Sequence, residues 1–145
     1  MNGTGVLLDS VILIDHLNGI PAATAYLRAV GAKAHISAIT RAEVLTGVEG
    51  SERQLIARFL DCFAFHALDL DIADLAAELR HLHGWKLPDA FQAAVAQYYS
   101  LTLATRNHKD FDPNQYSFVV IPYKKVGVRP GKFTFVQARR GSEST

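Results

Sequence analysis

Val6-Leu7-Leu8-Asp9-Ser10-Val11-Ile12-Leu13-Ile14-Asp15 decides the fold of this chain. A short apolar run ends in an acid, a hydroxyl residue follows, and apolar residues then recur at helical spacing. This is the pattern of a buried strand passing into a helix, with Asp9 or Ser10 available as the N-cap. The pattern recurs along the chain. Ala34–Ser37 reads as a strand, and Ser37 or Thr40 starts a helix through Glu43, Val44 and Leu45 to Gly47. Residues 64–68, 101–104 and 118–121 are further apolar strands. Helices are expected over 22–30 after Pro21, over the stripe Leu55, Ile56, Phe59, Leu60 and Phe63 beyond a turn at Gly50-Ser51, and from a cap at Asp71 to a stop at Gly84. Another opens at Leu87-Pro88-Asp89, with Phe91, Ala94, Val95 and Tyr98 on one face. Short apolar strands alternating with longer helices predict an α/β layer fold around a parallel sheet.

The 145 residues suit one domain with a sizeable core. A composition of 49% hydrophobic and 20% charged residues excludes a disordered chain. No apolar run reaches the roughly 18 residues of a membrane span. The N-terminus has no basic region leading into an apolar stretch. The expectation is a cytoplasmic protein with no membrane partner. Cys62 is the single cysteine, so an intrachain disulfide and a thiolate cluster are excluded, and it reads as a small apolar side chain in a helix. The six histidines have no zinc spacing: His81 and His83, two apart on a helix, face different directions. Neither a glycine-rich phosphate loop nor a nucleophile elbow is present.

The net charge of +1 hides an asymmetry. Residues 124–145 carry Lys124, Lys125, Arg129, Lys132, Arg139 and Arg140 against Glu143 alone, a net +5, so the remainder carries −4. The division expected is a domain over 1–123 and a basic, partly disordered extension over 124–145, in which residues 126–136 can form one more strand pair. Such an extension can contact nucleic-acid phosphates.

Four acids stand at the borders of apolar segments: Asp9, Glu43, Asp89 and Asp110. A carboxylate at such a border costs desolvation energy unless something compensates it. A hard divalent cation is one compensator, and it also supplies chemistry. Ligands of open parallel sheets bind beyond the carboxyl ends of the strands, near a switch in strand order. Asp9 and Asp110 follow strands, Glu43 follows one by a turn or two of helix, and Asp89 opens a helix that leads into one, so this topology can gather all four. Asp15, inside the first helix, reads as a surface or capping residue. Asp89 taken alone is a fair cap candidate.

Four blocks carry a resemblance: Leu7 to Asp15, Ile36-Ser37-Ala38-Ile39-Thr40-Arg41-Ala42-Glu43-Val44, Leu87-Pro88-Asp89-Ala90-Phe91-Gln92-Ala93-Ala94, and Leu103-Ala104-Thr105-Arg106-Asn107-His108-Lys109-Asp110-Phe111. In order and spacing over residues 5–121 they resemble the PIN-domain ribonucleases, most closely the VapC-type toxins of toxin–antitoxin pairs. Val11 stands where that family often has Asn, Ser10 where Thr is frequent, and Lys86 where Arg is usual. The resemblance implies a three-layer α/β/α fold with a central parallel sheet of about five strands. It implies a Mg²⁺- or Mn²⁺-dependent endoribonuclease that cleaves RNA by metal-activated water and is held inactive by a cognate antitoxin. Asp9 and Asp89 would be direct ligands, with Glu43 and Asp110 ligating directly or through water. Ser10, Thr105 and Asn107 would orient these groups, and Lys86, Arg106 and Lys109 would hold RNA phosphates. Family members commonly form homodimers, for which the Leu55–Phe63 stripe is a candidate contact. The competing reading is a non-catalytic PIN-like module that binds RNA or protein. A dehalogenase-type phosphatase, which also opens with strand and Asp, would need a second Asp where Val11 stands.

Overall fold

The computed structural model describes residues 4–124. The expected strand pair at 126–136, and the basic extension beyond Lys124, lie outside the described residues. Five strands form one parallel sheet: β1 (Val6–Leu8), β2 (Ala34–Ser37), β3 (Ala64–His66), β4 (Thr102–Ala104) and β5 (Val119–Val120). Their spatial order is β3-β2-β1-β4-β5. The chain winds outward from β1 in one direction and then restarts on its other side at β4. The switch in strand order therefore lies between β1 and β4, where a ligand crevice is expected.

Among the described residues, six α-helices flank the sheet: α1 (Ser10–Leu17), α2 (Pro21–Val30), α3 (Ala38–Thr46), α4 (Gly50–Leu60), α5 (Leu70–His83) and α6 (Leu87–Tyr98). Successive strand residues point to opposite faces, and the core divides accordingly. Leu7 and Leu103 face α5 and α6, packing with Ile72, Ala76, Ala93 and Phe111. Leu8, Ile36 and Ala104 face the other layer, with Ile12, Leu13, Val44, Ile56 and Leu60. The three-layer α/β/α arrangement with a five-stranded parallel sheet stands as expected.

Local chemistry explains most boundaries and corrects several. Asp9 caps α1 and Ser37 caps α3, each side chain accepting from a backbone N–H in the first turn. The cap of α5 is Asp69 rather than Asp71: Asp69 Oδ1 accepts from Ile72 N at 3.0 Å. Gly50 belongs to α4, so the turn expected at Gly50-Ser51 is helix. Gly84 ends α5 with φ +70°, a left-handed conformation that spares any other residue's Cβ penalty. Strand β3 stops at His66, short of residue 68. Cys62 is exposed in the turn after α4, not inside a helix. Among the described residues, no helix is long and apolar enough to cross a membrane.

A histidine pair fastens the β2–β3 edge. His35 Nδ1 and His66 Nε2 lie 2.8 Å apart, close enough to share one proton, and His66 packs on the Tyr99 ring. Gly5 makes room: a Cβ there would stand 2.5 Å from His35 Nε2. Burial lowers the pKa of both imidazoles, and His35 lowers that of His66 further. In the unfolded chain they titrate at about 6.5. Below that value the unfolded state binds protons that the folded state excludes, so stability is complete above it and is lost as pH falls through the lower folded values. Urea midpoints measured from about pH 7.5 to about pH 5.5 are expected to decline, and less steeply in His66→Asn. Equal slopes in the two proteins would show that the pair carries none of this dependence.

Candidate active site

The site forms around Asp9, which leaves the end of β1 with 6% of its surface exposed. Its backbone N–H donates to Ala104 O at 2.9 Å, tying the end of β1 to that of β4. Three donors from different elements hold its carboxylate. Ser10 N donates to Oδ1 at 2.8 Å, Gln92 Nε2 reaches the same oxygen at 3.3 Å, and the Thr105 hydroxyl donates to Oδ2 at 2.7 Å. A carboxylate has about four lone-pair positions, so roughly one remains for another partner.

Behind Asp9 lies a buried polar chain. Ser37 Oγ donates to Gln92 Oε1 at 2.6 Å, Gln92 Nε2 donates to Thr40 Oγ1 at 2.8 Å, and Thr40 donates to Leu8 O at 3.0 Å. Each of these groups is satisfied in a consistent direction, as a buried network requires. The sequence offers Ser37 and Thr40 as helix starts but shows no role at this site for them or for Gln92. The available signal was Gln92, the one polar residue within Ala90-Phe91-Gln92-Ala93-Ala94-Val95-Ala96.

Glu43 and Asp110 are attached to this centre through their neighbours, and Asp89 lies along α6 from Gln92. Half-buried Glu43 accepts from Ser10 Oγ at 2.6 Å, so the residue after Asp9 ties α3 to α1. Asp89 is half-buried in the first turn of α6, one turn before Gln92 and on the same face. The N-cap of that helix is Lys86, so Asp89 does not cap it. Asp110 is exposed, and Asn107 Nδ2 donates to its Oδ2 at 3.0 Å. Asn107 N in turn donates to Thr105 Oγ1 at 3.0 Å, connecting Asp110 to the group that holds Asp9. Trp85 Nε1 donates to Asp110 O at 3.0 Å and fixes the segment from the other side.

Two residues lie elsewhere than expected. The Arg106 guanidinium, expected to hold RNA phosphate, is paired within the fold: Nε and Nη2 donate to Asp15 Oδ2 and Oδ1 at 2.6 and 3.1 Å. Asp15 is neither on the surface nor a cap, being 1% exposed within α1. Lys86 and Lys109 are exposed beside the acids.

All four acids offer oxygen only, the donor chemistry that suits Mg²⁺ or Mn²⁺ rather than a softer ion. The open position on Asp9 fits the same group. Among the described residues, no three His, Cys, Asp or Glu side chains already converge as a metal cage. None of the four acids lines the cleft of about 300 Å³ between Arg41, Leu60, Asp61, Phe63 and Phe65.

The PIN-domain family profile matches residues 6–113, which include all four acids, and the chain belongs to that family. A chain of a toxin–antitoxin complex from Klebsiella pneumoniae is 37% identical, with a TM-score of 0.77 over 83% of this chain and 100% of that one. FitAcB from Neisseria gonorrhoeae is 25% identical, with a TM-score of 0.65 over 81% and 97%. VapBC2 from Rickettsia felis, bound to a DNA fragment from its promoter, shares the fold at 22% identity and a TM-score of 0.65, over 79% and 95%. Comparison with curated proteins gives no significant match. The resemblance to VapC-type PIN proteins therefore stands, and it supports a toxin-type nuclease.

Removing the Thr105 hydroxyl tests the centre directly. Thr105→Val keeps the shape but leaves a nearly buried carboxylate oxygen without its donor. A loss of about 2 kcal/mol in urea unfolding at neutral pH is expected. An unchanged midpoint would mean that Asp9 does not depend on this bond.

Proposed function

We propose that this protein is a Mg²⁺- or Mn²⁺-dependent endoribonuclease and the toxin of a toxin–antitoxin pair. In this reading it acts in the cytoplasm as a homodimer and is neutralised by a cognate antitoxin. The observation that carries the reading is Asp9. It is a nearly buried carboxylate, held by three donors at the switch between β1 and β4, with Glu43 linked to it through Ser10, Asp110 through Asn107 and Thr105, and Asp89 one turn before Gln92 on α6. The printed descriptions of the similar structures, toxin–antitoxin complexes among them, support the toxin role.

Asp9 and Asp89 are the residues that would hold the ion, and Glu43 and Asp110 would complete the oxygen set directly or through water. When bound, the ion supplies an activated water and relieves charge on the phosphoryl oxygens. The chain's own groups do the rest. Ser10, Gln92 and Thr105 keep the Asp9 carboxylate from rotating, so its remaining lone pair has one direction. Ser10 also holds Glu43, and Asn107 holds Asp110. Lys86 and Lys109 flank the acids as exposed cations suited to RNA phosphates. Leu55, 62% exposed on α4, is the part of the apolar stripe left for a second copy or the antitoxin.

The test is cleavage of total RNA by purified protein freed of any partner, with Mg²⁺, with Mn²⁺ and with EDTA. Metal-dependent cleavage is expected, falling at least about 100-fold in Asp9→Asn and Asp89→Asn, more than the loss of an outer hydrogen-bond partner costs. If folded wild type and both variants leave the same RNA pattern, the nuclease reading fails and the non-catalytic binding module takes its place.

A further inference from the structure

We propose that Arg106, Asp15 and Tyr123 form a clamp that positions the 105–110 segment against Asp9, making Arg106 a positioning residue and not a contact for RNA phosphate. The catalytic half of this inference rests on the nuclease reading above. Its structural half does not.

Asp15 sits among Ile12, Leu13 and Ile14 on a helix that packs into the core. A carboxylate there is tolerable only if it is paired and hydrogen-bonded. Its Oδ2 accepts from Arg106 Nε at 2.6 Å and from the Tyr123 hydroxyl at 2.8 Å, while Oδ1 accepts from Arg106 Nη2 at 3.1 Å. Burial, and then the Asp15 carboxylate, push the Tyr123 phenol far above its ordinary range, so it remains a donor at neutral pH. The Arg106 side chain is only 15% exposed. Two of its five N–H donors, the Nε/Nη2 fork, are committed to Asp15, and a phosphate could take that fork only by displacing Asp15 and leaving its carboxylate buried without its counterion. The planar fork uses two parallel donors, a geometry a lysine cannot reproduce.

The placement of the clamp gives it a purpose. Asp15 belongs to α1, the helix that Asp9 caps, and so stands in fixed relation to Asp9. Arg106 lies between Thr105, which holds Asp9 Oδ2, and Asn107, which holds Asp110. Tyr123 fastens the chain leaving β5 to the same carboxylate. The clamp therefore sets the position of Asp110 relative to Asp9 from one side, and Trp85 at the Asp110 carbonyl sets it from the other.

Arg106→Lys keeps the charge and loses the fork, and Tyr123→Phe removes one hydroxyl. The double variant Asp15→Asn/Arg106→Gln removes both charges together and covers the case in which Arg106→Lys does not fold. Hydrogen exchange is read at the amides of Asn107, Asp110 and Phe111, which bond within the segment. Faster exchange confined to 105–111 is expected, in Tyr123→Phe to a lesser degree. In the cleavage assay, kcat is expected to fall about 10- to 100-fold. KM for RNA should stay within about twofold, with its salt dependence unchanged. More Mn²⁺ should be needed for half-maximal activity. Exchange equal to wild type at 105–111 would overturn the clamp. So would a raised KM with a shallower salt slope and an intact kcat, because Arg106 would then be contacting phosphate. If wild-type protein cleaves no RNA, the nuclease reading fails, and the exchange measurement still decides the clamp.

Discussion

The rest of the structure depends on keeping one carboxylate nearly out of water at the end of a central strand. Asp9 needs donors, and no single element can supply them in that position. Ser10 comes from the first turn of α1, Gln92 from the middle of α6, and Thr105 from the chain just beyond β4. These elements lie on both faces and both sides of the switch in strand order. Satisfying Asp9 therefore brings together parts of the chain that hydrophobic packing leaves in two separate clusters. Packing density is indifferent to whether α6 rotates slightly about its axis; a glutamine that must reach Asp9, Thr40 and Ser37 at once is not.

That requirement explains the unusual composition of α6. Alanine dominates its buried face, which lets the helix approach α5 and the sheet closely. Gln92 is the exception, fully enclosed and fully bonded. A half-satisfied network here would be worse than an apolar core, so its members form a set. Outside it, Ser10 holds Glu43 and Asn107 holds Asp110.

The fold was legible in the sequence because buried strands of a parallel sheet are short continuous apolar runs, and those of β1 and β2 end at an acid or hydroxyl residue that caps a helix. The ends of β1 and β2, and the caps Asp9 and Ser37, could be read this way. The same reading misjudged residues whose role is set across the fold. Asp15 looked like a surface residue because a helical pattern shows which face is apolar but not which polar residue another segment will cover. The pairing of Arg106 with Asp15 is likewise invisible, because a cation beside acids in sequence has no visible partner until the helix carrying Asp15 is in place. Asp71 and Asp69 are equally good caps in isolation, and it is Asp69 that accepts from the Ile72 N–H. Gln92 was passed over because glutamine carries no chemistry of its own. Its significance is the apolar neighbourhood in which it stands.

The acids also differ in how tightly the protein holds them. Asp9 is nearly buried with three donors, Glu43 and Asp89 are half-buried, and Asp110 is exposed in a segment between β4 and β5. On the nuclease reading proposed above, a site that admits a polymer needs such a gradient. The inner carboxylate would be rigid, since displacement by a fraction of an ångström there would misdirect everything attached to it. The outer one would meet solvent and the incoming strand, so it could not be secured by burial. Securing it from beneath is the remaining option. Asn107 bonds the Asp110 carboxylate, Trp85 its carbonyl, and the buried Asp15–Arg106 pair lies under the residues between. An exposed carboxylate can then be both accessible and fixed, because its constraints come from buried or half-buried groups.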